Sequence, residues 1–170
     1  MGEEAFQRGI QKYIHKYAND NADWNNLVEI LDDETPIDMK KWSAVWVNES
    51  SRPVLSNKIE YDAQNTIKNF TITQHAEDNS ANIWPQVFEI GLVYPDGIKV
   101  LEVHIEDKNS PLNAAEGSQN PQNIIYNYNG FGYGVFPLDG NDLNFIPTIK
   151  DEVARGYSYI NLYENTLSGK

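Results

Sequence analysis

Two short phrases in the sequence place a histidine just ahead of two acids: His75-Ala76-Glu77-Asp78 and His104-Ile105-Glu106-Asp107. Imidazole and carboxylate presented side by side on two strands can hold a divalent metal ion. The competing reading makes both phrases strand ends on a wetted face, and the spacing favours it. No two of His15, His75 and His104 fall within one helical turn, and the sequence contains no His-Glu-x-x-His. Asp139, Asn141, Asp142 and Asn144 offer the oxygen ligands that calcium takes, but not at the intervals of a calcium loop. Asp142 suits a helix cap instead. With no cysteine in the chain, disulfides, thiolate metal sites and cysteine nucleophiles are excluded.

A second constellation is aromatic. Tyr126, Tyr128, Phe131, Tyr133 and Phe136 crowd one short stretch. Exposed together, such rings could stack on sugar faces; alternation along a strand instead sends about half of them into a core. The interleaved Gly130, Gly132 and Gly134 are followed by neither a helix start nor a basic residue, so they form a turn rather than a phosphate cradle.

The elements that must position these residues follow from hydrophobic period. Phe6, Ile10, Tyr13, Ile14 and Tyr17 recur at helical spacing. Asn21 can cap a second helix carrying Trp24, Leu27, Ile30 and Leu31, and Pro36 suits the first turn of a third with Met39, Trp42, Val45 and Trp46 inward. Asn48 to Arg52 is polar and reads as a boundary. From Val54 the period becomes two: Ile59 and Tyr61, then Ile67, Phe70, Ile72 and Gln74 with a slip that a bulge would explain. Val87 to Tyr94, the turn Pro95-Asp96-Gly97 and Ile98 to Ile105 form a hairpin. Residues 109–122 are expected to be a long loop, 124–129 and 133–136 the last strands. A final helix from Asp151 is expected to bury Val153, Tyr157 and Ile160 and to stop at Gly169.

With 40% apolar and 12% aromatic residues, the chain of 170 residues is expected to bury a core. Its 25 acids against 13 bases give a net charge of −12, which disfavours nucleic acid and anionic membrane surfaces as partners. No apolar run approaches the roughly 20 residues of a membrane span. Met1 to Asp20 shows no basic region followed by an apolar one, so no secretory signal is visible and the compartment is left open. Asn48-Glu49-Ser50 and Asn69-Phe70-Thr71 fit the glycosylation sequon.

The order of several phrases resembles the zinc-dependent aminopeptidases of the aminopeptidase N type, the gluzincins. Phe6-x-x-Gly9-Ile10-x-x-Tyr13, then Asn21-Ala22, then Met39-x-x-Trp42 is similar to the last helices of their catalytic domain. Where the family often has Gly-Tyr-Pro, this chain reads Ser51-Arg52-Pro53. Phe70-Thr71-Ile72-Thr73-Gln74, Trp84-Pro85 and Asn127-x-x-Gly130-x-Gly132-Tyr133 are similar to the family's small β-sandwich, and Asp151 to Gly169, with Arg155, to the opening of its helical C-terminal domain.

The resemblance implies an α+β chain: N-terminal helices, an antiparallel β-sandwich and a C-terminal helical segment. It implies a helical end of a catalytic domain over 1–50, a spacer domain over 51–139 and the first C-terminal helices over 140–170. Family members hold zinc with two histidines on one helical turn and a downstream glutamate, a second glutamate acting as general base. Those motifs are absent here, so no catalytic, cofactor or metal residue is assigned, and zinc is expected in the parent protein only. The partners implied are the rest of the parent polypeptide and, for the parent, a peptide substrate. Two other readings stay open: a stand-alone β-sandwich binding module for carbohydrate or peptide, and a structural adaptor.

Overall fold

The computed structural model describes residues 1–138 and 142–169. The chain divides into two compact units, Met1–Ser50 and Ser51–Lys170.

In the first unit, helix α1 spans Glu3–Tyr17, with Glu3 and Glu4 in its first turn and His15 and Lys16 in its last, each sign placed to suit the helix dipole. Helix α2 spans Trp24–Asp32. The two approach closely because α1 turns small residues, Ala5 and Gly9, inward. A Cβ on Gly9 would lie 2.5 Å from Leu31 Cδ2. The expected apolar stripe is therefore not the packed one: Phe6 and Ile14 stay exposed. Nor does Asn21 cap α2. Asp23 does, exchanging reciprocal 3.0 Å bonds with Asn26. That exchange needs a side-chain acceptor three residues on, and the residue three beyond Asn21 is Trp24. Helix α3, Met39–Ser43, begins after Asp38 rather than at Pro36, because Asp38 and Asp32 accept its first-turn N–H groups. It relaxes into a π turn over Ala44–Asn48. Val28, Leu31 and Met39 form the core of the unit, flanked by Met1, Leu27 and Trp42.

The second unit contains six strands: β1 (Pro53–Tyr61), β2 (Ile67–Ala76), β3 (Gln86–Tyr94), β4 (Gly97–Ile105), β5 (Asn109–Pro111) and β6 (Asn123–Ile125). They form two antiparallel sheets, ordered β1-β2-β5 and β4-β3-β6. The slip between Ile67 and Phe70 is a bulge: Glu60 pairs with Asn69 and Tyr61 with Ile67, leaving Lys68 over. The hairpin turns on Pro95-Asp96 alone, since Gly97 already pairs with Tyr94. Leu101, Val103 and Ile105 face inward while Val100, Glu102 and His104 face out. Leu55, Phe70 and Ile72 of one sheet and Phe88, Ile90 and Val103 of the other share one core cluster.

Three expectations are corrected. Residues 109–122 are not all loop: β5 pairs with β2, a 3-10 turn covers Asn113–Ala115, and Leu112 and Ala115 are buried. The strand expected over 124–129 covers only Asn123–Ile125, because Asn127 turns left-handed (φ 54°) and the Asn129 side chain takes the Glu89 N–H in place of backbone. Residues 133–136 form no strand beyond a single parallel bridge, Val135 to Val54.

Helix α4 (Asp142–Phe145) runs into a 3-10 turn over Ile146–Thr148 that contains Pro147. Helix α5 covers Glu152–Leu167 behind an Asp151 cap. Its packed face is one residue away from the expected one: Ala154 and Asn165 are buried, Val153 and Ile160 exposed, and Tyr157 sits at the margin. Ala154 packs with Ile125 and Ile149. Among the described residues, no helix is long and apolar enough to cross a membrane.

Candidate functional site

The most specific side-chain chemistry in the second unit lies where α5 meets the chain that leaves the sheets. The Gly130–Gly134 stretch is a turn, as its sequence implies, and Asn127 closes it: Oδ1 accepts from the Gly132 N–H at 2.7 Å and Nδ2 donates to the Gly132 carbonyl at 2.9 Å. Gly130 adopts φ 76°, and a Cβ there would meet the Tyr157 ring at 2.1 Å. Glycine is needed twice over, for the backbone and for the ring of α5 that lies on it.

Beyond the turn, two asparagines of α5 act as a surrogate strand. Asn161 Oδ1 accepts the Phe136 N–H at 2.9 Å, and its Nδ2 donates to the Pro137 carbonyl at 3.2 Å. Asn165, 2% exposed, donates to the Phe136 carbonyl at 3.0 Å. Backbone groups that a short irregular segment would otherwise bury unpaired are thus satisfied by a helix. A polar pair at i and i+4 in a helix rich in tyrosine was the available sequence signal, and it was missed.

Arg52 completes the joint. Its Nε and Nη2 each lie 2.9 Å from a Glu77 oxygen in a two-pronged pair, and Nη1 donates to Glu164 of α5. Glu77 first, then Glu164, raise the Arg52 pKa above its ordinary value, and the guanidinium holds the Glu77 carboxyl below the usual range. A cleft of about 170 Å³ opens here, walled by Arg52, Tyr133, Tyr157, Ile160, Asn161 and Glu164. None of these groups is arranged as a nucleophile with its base. What the arrangement does is fix a helix.

The same family of side-chain brackets holds the loop after β2. Gln74, fully buried, accepts the Trp84 N–H at 3.1 Å and donates to the Trp84 carbonyl at 3.4 Å. Gln74 and Trp84, noticed separately in the sequence, thus meet.

The other candidates do not assemble. His75 lies on β2 opposite Val54, and His104 on β4 opposite Val87, so they belong to different sheets. His104 Nε2 is 2.5 Å from Glu102, and Glu77 is committed to Arg52. Among the described residues no group of three or more His, Asp or Glu side chains converges as a metal site, so this donor set does not fit a catalytic zinc. Asp139 and Asn141 lie outside the described residues; Asp142 begins α4 and Asn144 is exposed on it. Of the five rings, Tyr126 and Phe136 are buried, Tyr128 is partly covered, and Phe131 and Tyr133 are exposed, so they form no single platform.

No family model matches the chain. Against curated proteins, it is 28% identical to an aminopeptidase N of Streptomyces lividans over 84% of its own length and 18% of that protein's. A 27% identical match to the aminopeptidase N of Escherichia coli covers 44% of the chain and 8% of that protein. The chain is a relative of the aminopeptidase N family. A third match, 32% identical to an aminopeptidase M1-B of rice (Oryza sativa subsp. japonica), covers 35% of the chain and 7% of that protein. This aminopeptidase N relative therefore spans only a small part of the curated proteins it matches.

Proposed function

We propose that the chain is a non-catalytic segment of a zinc-dependent aminopeptidase, and that its task is to hold other parts of that enzyme at a fixed distance and angle. The parent would remove N-terminal residues from peptides by means of zinc-activated water. Residues 1–50 would close the catalytic domain, 51–139 would form the β-sandwich spacer, and 140–170 would open the C-terminal helical domain. The zinc would be held by residues of the parent outside this chain, and its partners would be those remaining domains.

The observation that carries this reading is the match along 84% of the chain to 18% of an aminopeptidase N. The geometry supports it. The best-built polar constellation of the second unit, Arg52 with Glu77 and Glu164 and the Asn161–Asn165 pair, fastens α5 to the strands and leaves no reactive group at its centre. A spacer needs this kind of stiffness, because closure of one domain over a substrate is useful only if the hinge lies elsewhere.

The test is a zinc and turnover assay on the purified chain. It should retain no stoichiometric zinc after dialysis and release no 4-nitroaniline from aminoacyl 4-nitroanilides. Turnover that co-purifies with the chain and is abolished by substituting His75 or His104 would contradict the assignment.

A further inference from the structure

Among the described residues, four other than glycine have positive φ: Ser51, at 87°, and Asn65, Asn79 and Asn127. Asparagine visits this region readily, because its short polar side chain bonds the nearby backbone. Serine enters it under strain, and such strain persists only where the surroundings over-determine it. Ser51 is also the residue at which the second unit begins. Just before it, Ala44–Asn48 is a π turn, a helix form that recurs at functional sites. An uncommon backbone thus stands where the chain passes into the sheets.

What holds it is the turn after β2. Ser51 Oγ accepts the Asp78 N–H at 3.2 Å. The Arg52 carbonyl accepts the Glu77 N–H at 3.0 Å, while the Arg52 guanidinium grips the Glu77 carboxylate. Two consecutive residues are matched to two consecutive partners, by hydroxyl and backbone as well as by charge. That turn is itself tied: the Asn79 N–H donates to the Ala76 carbonyl at 3.0 Å, and Asp78 Oδ1 accepts the Ser80 N–H at 3.0 Å. One residue further on, Pro53 O accepts the Val135 N–H at 3.0 Å, and a Cβ on Gly134 would lie 2.4 Å from the same oxygen. In this frame the Ser51 side chain has one evident task. Replacement by alanine keeps the strain and loses the bond; replacement by glycine loses both.

We propose that Ser51 is a latch: its hydroxyl, seated on the Asp78 N–H, holds a strained left-handed turn and so fixes the direction in which the chain enters β1. Shut, residue 51 keeps its positive φ. Released, serine returns to the negative-φ regions that side chains favour, and the chain before it is redirected about that bond. The hydroxyl decides between the two states, because the strain and one hydrogen bond are of comparable size. The latch deepens the spacer reading and rests on it for its purpose, since a fixed entry is what a spacer requires.

The experiment compares the full chain, labelled with ¹⁵N and ¹³C, with its Ser51→Ala and Ser51→Gly variants. In the unaltered chain the heteronuclear NOE at Ser51 and Arg52 should match that of β1, and the carbon shifts of Ser51 should report positive φ. Ser51→Ala should lose positive φ, the released turn gaining about fivefold in population, the worth of one hydrogen bond. Ser51→Gly should keep positive φ, which glycine takes freely, yet show lowered NOE values at residues 51 and 52 while the β3–β4 hairpin is unchanged. Mobility at Ser51 and Arg52 in the unaltered chain as great as in Ser51→Gly would overturn the proposal. So would positive φ with unchanged NOE in folded Ser51→Ala, or a lower thermal midpoint in both variants with these local signals unmoved. Neither measurement involves peptide hydrolysis, so a failed latch and a failed spacer reading are told apart.

Discussion

Arg52, one residue before β1, and Glu164, near the end of α5, are 112 positions apart in sequence and joined by an ion pair. The same guanidinium grips Glu77 with two further bonds, so one side chain ties the start of the first strand, the end of the second and the last helix together. The pairs are partly covered, with Arg52 and Glu164 side chains 26% and 27% exposed. That places them between the weak surface pair and the costly buried one.

Arg52→Ala should therefore destabilise the second unit by about 1–2 kcal/mol, the range for charge-assisted bonds that are partly screened. The loss should be local. Amide hydrogen exchange is expected to accelerate along the C-terminal half of α5 and at Glu77 while the β3–β4 hairpin stays protected. Uniform acceleration across both sheets would mean that Arg52 serves the core rather than the joint.

Asn165→Leu keeps the branched outline of the side chain but leaves the Phe136 carbonyl without its donor. Burial of an unpaired carbonyl costs about 1–3 kcal/mol, and a lower denaturant midpoint at unchanged slope would report it. Exposed positions such as Tyr163 offer the contrast: Tyr163→Ser should change stability by less than about 0.5 kcal/mol.

Gly130→Ala introduces both a Cβ at positive φ and a clash with Tyr157. The cost should reach about 2 kcal/mol, and Tyr157→Ala in the same chain should recover the steric part but not the backbone part. Fully additive losses in the double mutant would show that the ring does not rest on this turn.

Four carboxylates held below their ordinary range set an acid limb to stability: Glu34, Glu60, Glu77 and Asp78, the second through Lys58 and the last through Ser80. Glu77 is held below its ordinary 4.5 by hydrogen bonds from Arg52. In the first unit, Glu34 is held below 4.5 by Lys12 and then Arg8. A carboxylate whose folded pKa is depressed contributes stability above its unfolded pKa and loses it as pH falls through the folded value. The thermal midpoint should thus be flat above pH 5 and fall below about pH 4.5. Glu34→Gln and Glu77→Gln together should make that limb shallower, as should high salt, with Glu60 and Asp78 supplying the remainder.

The sequence made the two-residue periods plain because β3 and β4 bury one face each, and Leu101, Val103 and Ile105 alternate with polar neighbours without interruption. It was equally clear about the bulge, since Ile67 and Phe70 cannot both face inward without an extra residue. The joint was much less legible. Asn161 and Asn165 look like solvated helix residues until the backbone of Phe136 and Pro137 is placed against them, and that placement depends on contacts more than 20 residues distant. The face of α5 was misjudged for a related reason. Val153, Tyr157 and Ile160 are the apolar choice, but the surface α5 meets presents carbonyls and an amide, so Ala154, Asn161 and Asn165 turn inward instead.

The central claim, that this chain positions the parts of an aminopeptidase and performs none of the chemistry, is tested most directly by a chimera. The chain would replace its matching segment in the Streptomyces lividans aminopeptidase N, and kcat/KM on a dipeptide amide would be measured beside zinc content. A working spacer predicts full zinc occupancy, activity within about tenfold of the parent, and a fall of kcat/KM at constant zinc when Arg52→Ala loosens the joint. A folded, zinc-loaded chimera without activity, or one indifferent to Arg52→Ala, would contradict it.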